Sequence, residues 1–213
     1  MTFAVGIFEL LTYTIPGSLY VAFFAYVATR SHWVNPAVVG QAPSVLLVIV
    51  TVLVSYLLGY LAYPLGATTN RLVPDTRDRR PRESFVRRVP AATNRAYVQA
   101  DSFLLLSAVQ VHDKDVAIEI TRLRAAGLML RNCAPPLLLG FVAAIVELVA
   151  GSNPALVVTS AALFGSAFFA VIVQGRRLAH WATMKTLELC FWIPGIDETF
   201  GGPEGDNPAS SWG

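Results

Sequence analysis

The chain has 213 residues, 54% hydrophobic and 14% charged, with a net charge of +2 and a mean hydropathy of +0.54. Soluble domains carry about 25% charged residues, spread around their surface. Here long stretches carry no charge and one central segment holds most of it, which argues against an ordinary water-soluble globule and for lipid as the solvent.

The expected fold is an all-α integral membrane protein with four transmembrane helices. They form two hairpins, with a helical cytoplasmic insertion between the second and third spans. The segments expected are 1–67 (first hairpin), 68–131 (Arg-rich segment and helical hairpin), 132–174 (second hairpin), 175–200 (interfacial amphipathic helix) and 201–213 (disordered tail).

The first span runs roughly from Phe8 to Ala28 and contains Pro16-Gly17. An internal proline removes one helical hydrogen bond, and Thr12 and Thr14 are placed to cover the freed carbonyl. No Lys or Arg precedes this run, so a retained span is expected rather than a cleaved leader. Trp33, in the connector that follows, suits an interfacial anchor. The second span, roughly Ser44 to Leu65, is rich in Val and Leu. Ser55, Gly59, Ala62 and Gly66 form a small-residue stripe on it.

Between Arg71 and Arg95 there are eight Arg against three acids. Overlapping the end of this run, Thr93 to Val111 reads as helical, and Asp113 suits the N-cap of a helix starting at Lys114. A helical pair of this size is too small for a core of its own. It is therefore expected to pack on another subunit or on the membrane. The third span runs roughly from Arg131 to Ala150, with Pro135-Pro136 near its start. The fourth runs roughly from Ala155 to Gln174, and Gly175-Arg176-Arg177 is expected to stop it. Leu178 to Trp192 then reads as an amphipathic helix in the headgroup layer.

Charge fixes the expected orientation. Threaded this way, fifteen of the sixteen Lys and Arg fall on one side, and only Arg30 falls on the other. The positive-inside rule places that side, with both termini, in the cytoplasm of a cell membrane, a bacterial inner membrane being the expected one. Cys133 and Cys190 then lie where thiols stay reduced, and their spacing matches neither a zinc site nor a redox pair.

Candidate functional residues fall into three sets. Glu9, Thr12, Tyr13, Tyr20, Tyr56 and Glu147 could form a polar seam within the membrane. Glu147 has three options: protonation, pairing with Arg30 across the outer interface, or snorkelling to water. Arg77, Arg79, Arg80, Arg82, Arg87 and Arg88 could contact anionic lipid headgroups or phosphates. Ser55, Gly59, Ala162, Ser166 and Ala170 are small residues at four-residue spacing within their helices, which lets helix backbones approach. No catalytic residues, metal ligands or cofactor-binding residues are assigned. His112 beside Asp113 matches no metal motif, no glycine-rich loop accompanies the Arg run, and no nucleophile motif is present.

The reading favoured is a non-enzymatic, self-associating membrane anchor, sensor or effector. Its cytoplasmic segment receives a signal or docks a soluble protein, and nucleic acid is not the expected partner. One alternative is a small channel or transporter subunit lined by the polar seam. A second is a lipid-modifying enzyme at the inner surface, using His112, Asp113 and the Arg run.

Overall fold

In a computed structural model, residues 2–35, 40–41, 43–74, 80–150 and 153–201 are described, without the side chains of residues 2–7, 9 and 201. The described residues contain helices and turns and no strand. Among the described residues, four helices are long and apolar enough to cross a membrane. The chain divides into two compact units, one of Met1–Pro74 with Arg124–Ala179 and one of Asp75–Leu123 with His180–Gly213.

The first unit begins with α1, Thr2–Arg30. It stays helical through Pro16, which is buried. Thr12 Oγ1 donates to the Phe8 carbonyl at 2.7 Å, and Thr14 Oγ1 is buried without a partner. The expected cover for the carbonyl that Pro16 frees is therefore not made by either hydroxyl. Helix α2, Ser44–Leu61, packs against α1 almost backbone to backbone. A Cβ built on Gly17 would lie 1.6 Å from the Ser55 carbonyl oxygen, and one on Gly59 would lie 1.9 Å from that of Tyr13. Only glycine permits this approach.

The second apolar run does not continue to Leu65 as one helix. It breaks at Ala62, and α3, Tyr63–Leu72, restarts with Pro64 in its first turn, where a missing N–H costs least. Ser55, Gly59, Ala62 and Gly66 are all buried.

Helices α6, Lys114–Val149, and α7, Pro154–Trp192, are much longer than the spans expected there. At about 1.5 Å per residue each exceeds the roughly 30 Å hydrocarbon thickness by a wide margin, so only part of each can lie in lipid. Pro135 and Pro136 do not start the third helix. They lie inside α6, both buried, in a stretch where Cys133, Ala134 and Leu137 are also buried. Packing there outweighs the usual cost of an internal proline.

Gly175 likewise does not stop the fourth helix. Its built Cβ would lie 3.3 Å from the Gly127 carbonyl oxygen, and that of Gly127 lies 3.2 Å from the Gly175 oxygen. The pair marks a close crossing of α6 and α7. Arg176 then reaches back to the C-terminal end of α3. Its Nε donates to Asn70 Oδ1 at 3.0 Å, and Nη2 donates to the carbonyls of Asn70 and of Val73, the latter at 2.5 Å. A cation at a helix C-terminus satisfies carbonyls that have no partner in the helix.

The second unit is built from α4, Pro81–Arg88, two 3₁₀ turns at Pro90–Ala92 and Ala96–Val98, and α5, Ser102–His112. The ends of α6 and α7 that belong to this unit join them, with α8, Ile196–Gly201. Asp101 caps α5 through Phe103 N at 2.8 Å, so the helix expected from Thr93 starts only at Ser102. Asp113 Oδ1 accepts from Asp115 N at 3.0 Å and Val116 N at 3.1 Å, the N-cap expected for α6.

Phe85, Tyr97, Leu105, Val109, Ile120, Leu187 and Cys190 form its core. The missing side of the helical pair is thus supplied by residues 180–200 of the same chain. Leu178 to Trp192 is no separate helix. It continues α7, with Ala182, Met184, Leu187 and Cys190 buried in protein. The tail expected from Gly201 lies outside the described residues from 202 onward.

The α1–α2 contact is testable. Overpacking ordinarily costs about 1–3 kcal/mol, and a methyl this close to a backbone oxygen belongs at the upper end. Gly17→Ala and Gly59→Ala should each lower the thermal midpoint of the detergent-solubilised protein. Unchanged midpoints in both would contradict the close approach.

Candidate functional site

In the second unit, the arginine run shapes one wall of a crevice. Arg80 precedes α4, and Pro81 at its first position pre-sets the helical φ. Phe85 is fully buried and anchors the helix, which leaves Arg82, Arg87 and Arg88 exposed. Arg80, Arg82 and Glu83 face Ser102 and Leu105 of α5 and Thr183, Thr186 and Leu187 of α7 across a cavity of about 470 Å³. Arg80 Nη1 pairs with Glu83 Oε1 at 2.8 Å, and Arg82 Nη2 donates to the Ala100 carbonyl at 2.8 Å. Arg88 approaches Glu188 to 4.0 Å. Thr186 Oγ1 is committed to the Ala182 carbonyl at 2.8 Å. The crevice sets guanidinium groups beside hydroxyls. Because Arg80 already holds Glu83 and Arg82 the Ala100 carbonyl, a carboxylate or phosphate would bind there by exchanging with those partners. Arg77 and Arg79 lie outside the described residues.

Two further ion pairs flank the core of this unit. Arg95 pairs with Asp197 and lies over the Phe191 ring, 5.8 Å from its centroid. Lys185 Nζ meets Glu119 Oε1 at 2.5 Å. Tyr97, in the second 3₁₀ turn, is fully buried in the core and its hydroxyl has no partner. Burial pushes the phenol up to about 12, with smaller contributions in the same direction from Asp197 and Cys190.

In the first unit the proposed polar seam does not form one line. Glu9 lies in α1, but its side chain is outside the described residues. The Tyr13 ring packs edge-on against Tyr56 and Tyr60, at 5.9 and 5.5 Å between centroids. Thr12 is buried and bonded within α1. The Tyr20 hydroxyl is buried without a partner, and its ring stacks on Phe24.

Glu147 is placed apart from these, near the end of α6. Its Oε1 accepts from Arg30 Nε at 2.7 Å and from the Tyr26 hydroxyl at 2.7 Å. Tyr26 was not among the sequence candidates, although its i, i+4 spacing to Arg30 puts both on one helix face. Nor was Asn132, fully buried with both amide atoms lacking partners, which no spacing rule would have flagged. Ser55 and Gly59 are buried against α1, whereas Ala162, Ser166 and Ala170 are exposed along α7.

His112 and Asp113 are exposed, and the Asp113 carboxylate is used as the α6 cap. Among the described residues no group of three or more His, Cys, Asp or Glu could hold a metal ion. Comparison with known proteins finds no matching family model, curated protein or solved structure.

The buried phenol gives a pH prediction. The fold holds Tyr97 neutral, so its contribution to stability is complete below about pH 10 and is lost as pH rises through about 12. Tyr97→Phe should show a smaller alkaline loss of thermal midpoint and no loss at neutral pH. The same alkaline decline in both proteins would contradict this.

Proposed function

We propose that the chain is a multi-pass membrane anchor whose polar unit is a cytoplasmic docking or signal-receiving head for a soluble protein. The observation that carries this reading is that residues 80–123 and 180–200 have a hydrophobic core of their own. A mere connector between spans needs no such core. Its cost in backbone ordering, about 1–2 kcal/mol per residue, is offset only by burial on this scale.

The partner of this reading carries acidic or phosphorylated side chains, because Arg80 and Arg82 line the crevice and Arg87 and Arg88 are exposed beside it. Cytoplasmic placement follows from the distribution of Lys and Arg. Self-association belongs to the same reading. Ala162, Ser166 and Ala170 lie exposed at four-residue spacing along α7, where small side chains favour a second helix.

A photo-crosslinking residue placed at Arg82 or Arg87 in living cells tests the docking role. A discrete adduct with one soluble protein is expected, weakened by Arg80→Glu with Arg88→Glu. Adducts with lipid alone, or none, would remove the docking role. A crosslinker at Ser166 should capture a second copy of the chain, and its absence would remove self-association.

A further inference from the structure

The Arg30–Glu147–Tyr26 cluster sits at one end of a crevice inside the first unit. The crevice has a volume of about 580 Å³. It is walled by α1, α6 and α7, and apart from the charged end its lining is overwhelmingly apolar, with Leu19, Phe23, Leu137, Val157 and Phe164 among its residues. The charged end is formed where α1 and α6 finish and α7 begins, so the C-terminal ends of two helices and the N-terminal end of the third meet there.

The crevice has the depth of one leaflet. Along α1 it runs from Arg30 to Leu19 (30 − 19 = 11 residues), and along α6 from Glu147 to Pro136 (147 − 136 = 11 residues). Eleven helical residues rise about 16 Å, and half of the roughly 30 Å hydrocarbon core is nearly the same.

The mouth has both signs of charge. Arg30 is 58% exposed and Glu147 19% exposed. An anionic headgroup would meet the carboxylate, and a cationic one would meet the guanidinium. A headgroup carrying a phosphate and an ammonium satisfies both, because a carboxylate can accept several hydrogen bonds and a guanidinium can donate five.

We propose that this crevice is a lipid site holding one acyl chain of a zwitterionic phospholipid, with its phosphate on Arg30 and its ammonium on Glu147. Gly140 and Ala143 line the α6 wall of the crevice, and Gly140 packs closely on Phe164, the ring lying 3.1 Å from where a Cβ would be.

The test uses the full chain reconstituted in vesicles of equal phosphatidylethanolamine and phosphatidylglycerol. The protein is then solubilised, washed, and its retained lipid counted by native mass spectrometry. Wild type should retain phosphatidylethanolamine over phosphatidylglycerol by roughly two- to fivefold, the range of a partly exposed ion pair. Glu147→Gln should lose or reverse that preference, since Arg30 alone favours an anion. Ala143→Phe should reduce retained lipid of both kinds. If that variant does not fold, Ala22→Phe at the exposed rim provides the same readout. Equal retention of the two lipids by wild type, no retained lipid, or an unchanged preference in Glu147→Gln would each overturn the proposal.

Discussion

The fate of α2's apolar side chains constrains everything else in this protein. Val45 is 70% exposed and Leu61 69% exposed, and Leu46, Val48, Leu53 and Leu57 between them also face away from protein. At about 25 cal/mol per Å², that surface would be strongly unfavourable in water. In hydrocarbon it costs nothing, and the helix needs only its backbone bonds satisfied internally. Lipid therefore supplies most of α2's environment. What α2 gives to the protein is its narrow glycine face, where α1 comes close enough that a methyl group would not fit.

That division of labour shapes the first unit throughout. Where lipid provides no hydrophobic drive between helices, close contact and polar bonds do the joining. Gly17 and Gly59 join α1 to α2, Gly127 and Gly175 join α6 to α7, and Arg176 ties α7 to the end of α3. The second unit is joined differently. It has a hydrophobic core, with Phe85, Tyr97, Leu105 and Ile120 buried and ion pairs such as Lys185–Glu119 outside. Two modes of cohesion in one chain account for why α6 and α7 are so long: each contributes residues to both units.

Much of this was legible in the sequence. Four apolar runs give four membrane-length helices, because composition alone decides what partitions into lipid. Asp113 was readable as a cap because its chemistry is local. Glycine and proline misled. Gly175 followed by two arginines looks like a helix end at a membrane surface, yet Gly175 makes a helix crossing and Arg176 binds another helix. Pro135-Pro136 looks like a start and is interior. In each case a tertiary contact overrides a local rule, and a single sequence carries no record of the partner. The pairing of Glu147 with Arg30 could be named beforehand as one of several options. The crevice beside it could not, since its walls come from three separated helices.

The proposed orientation, with the Arg-rich unit on the cytoplasmic side, makes a sided molecule, and sidedness is directly measurable. Single cysteines at Trp33, 81% exposed between α1 and α2, and at the exposed Gln110 of α5 test the orientation proposed from the Lys and Arg distribution, which puts them on opposite faces. Cys133 and Cys190 are buried and should contribute little background. A membrane-impermeant maleimide applied to intact cells should label Trp33→Cys at once and Gln110→Cys only after the membrane is permeabilised. Labelling of Gln110→Cys from outside, with Trp33→Cys protected, would contradict the account.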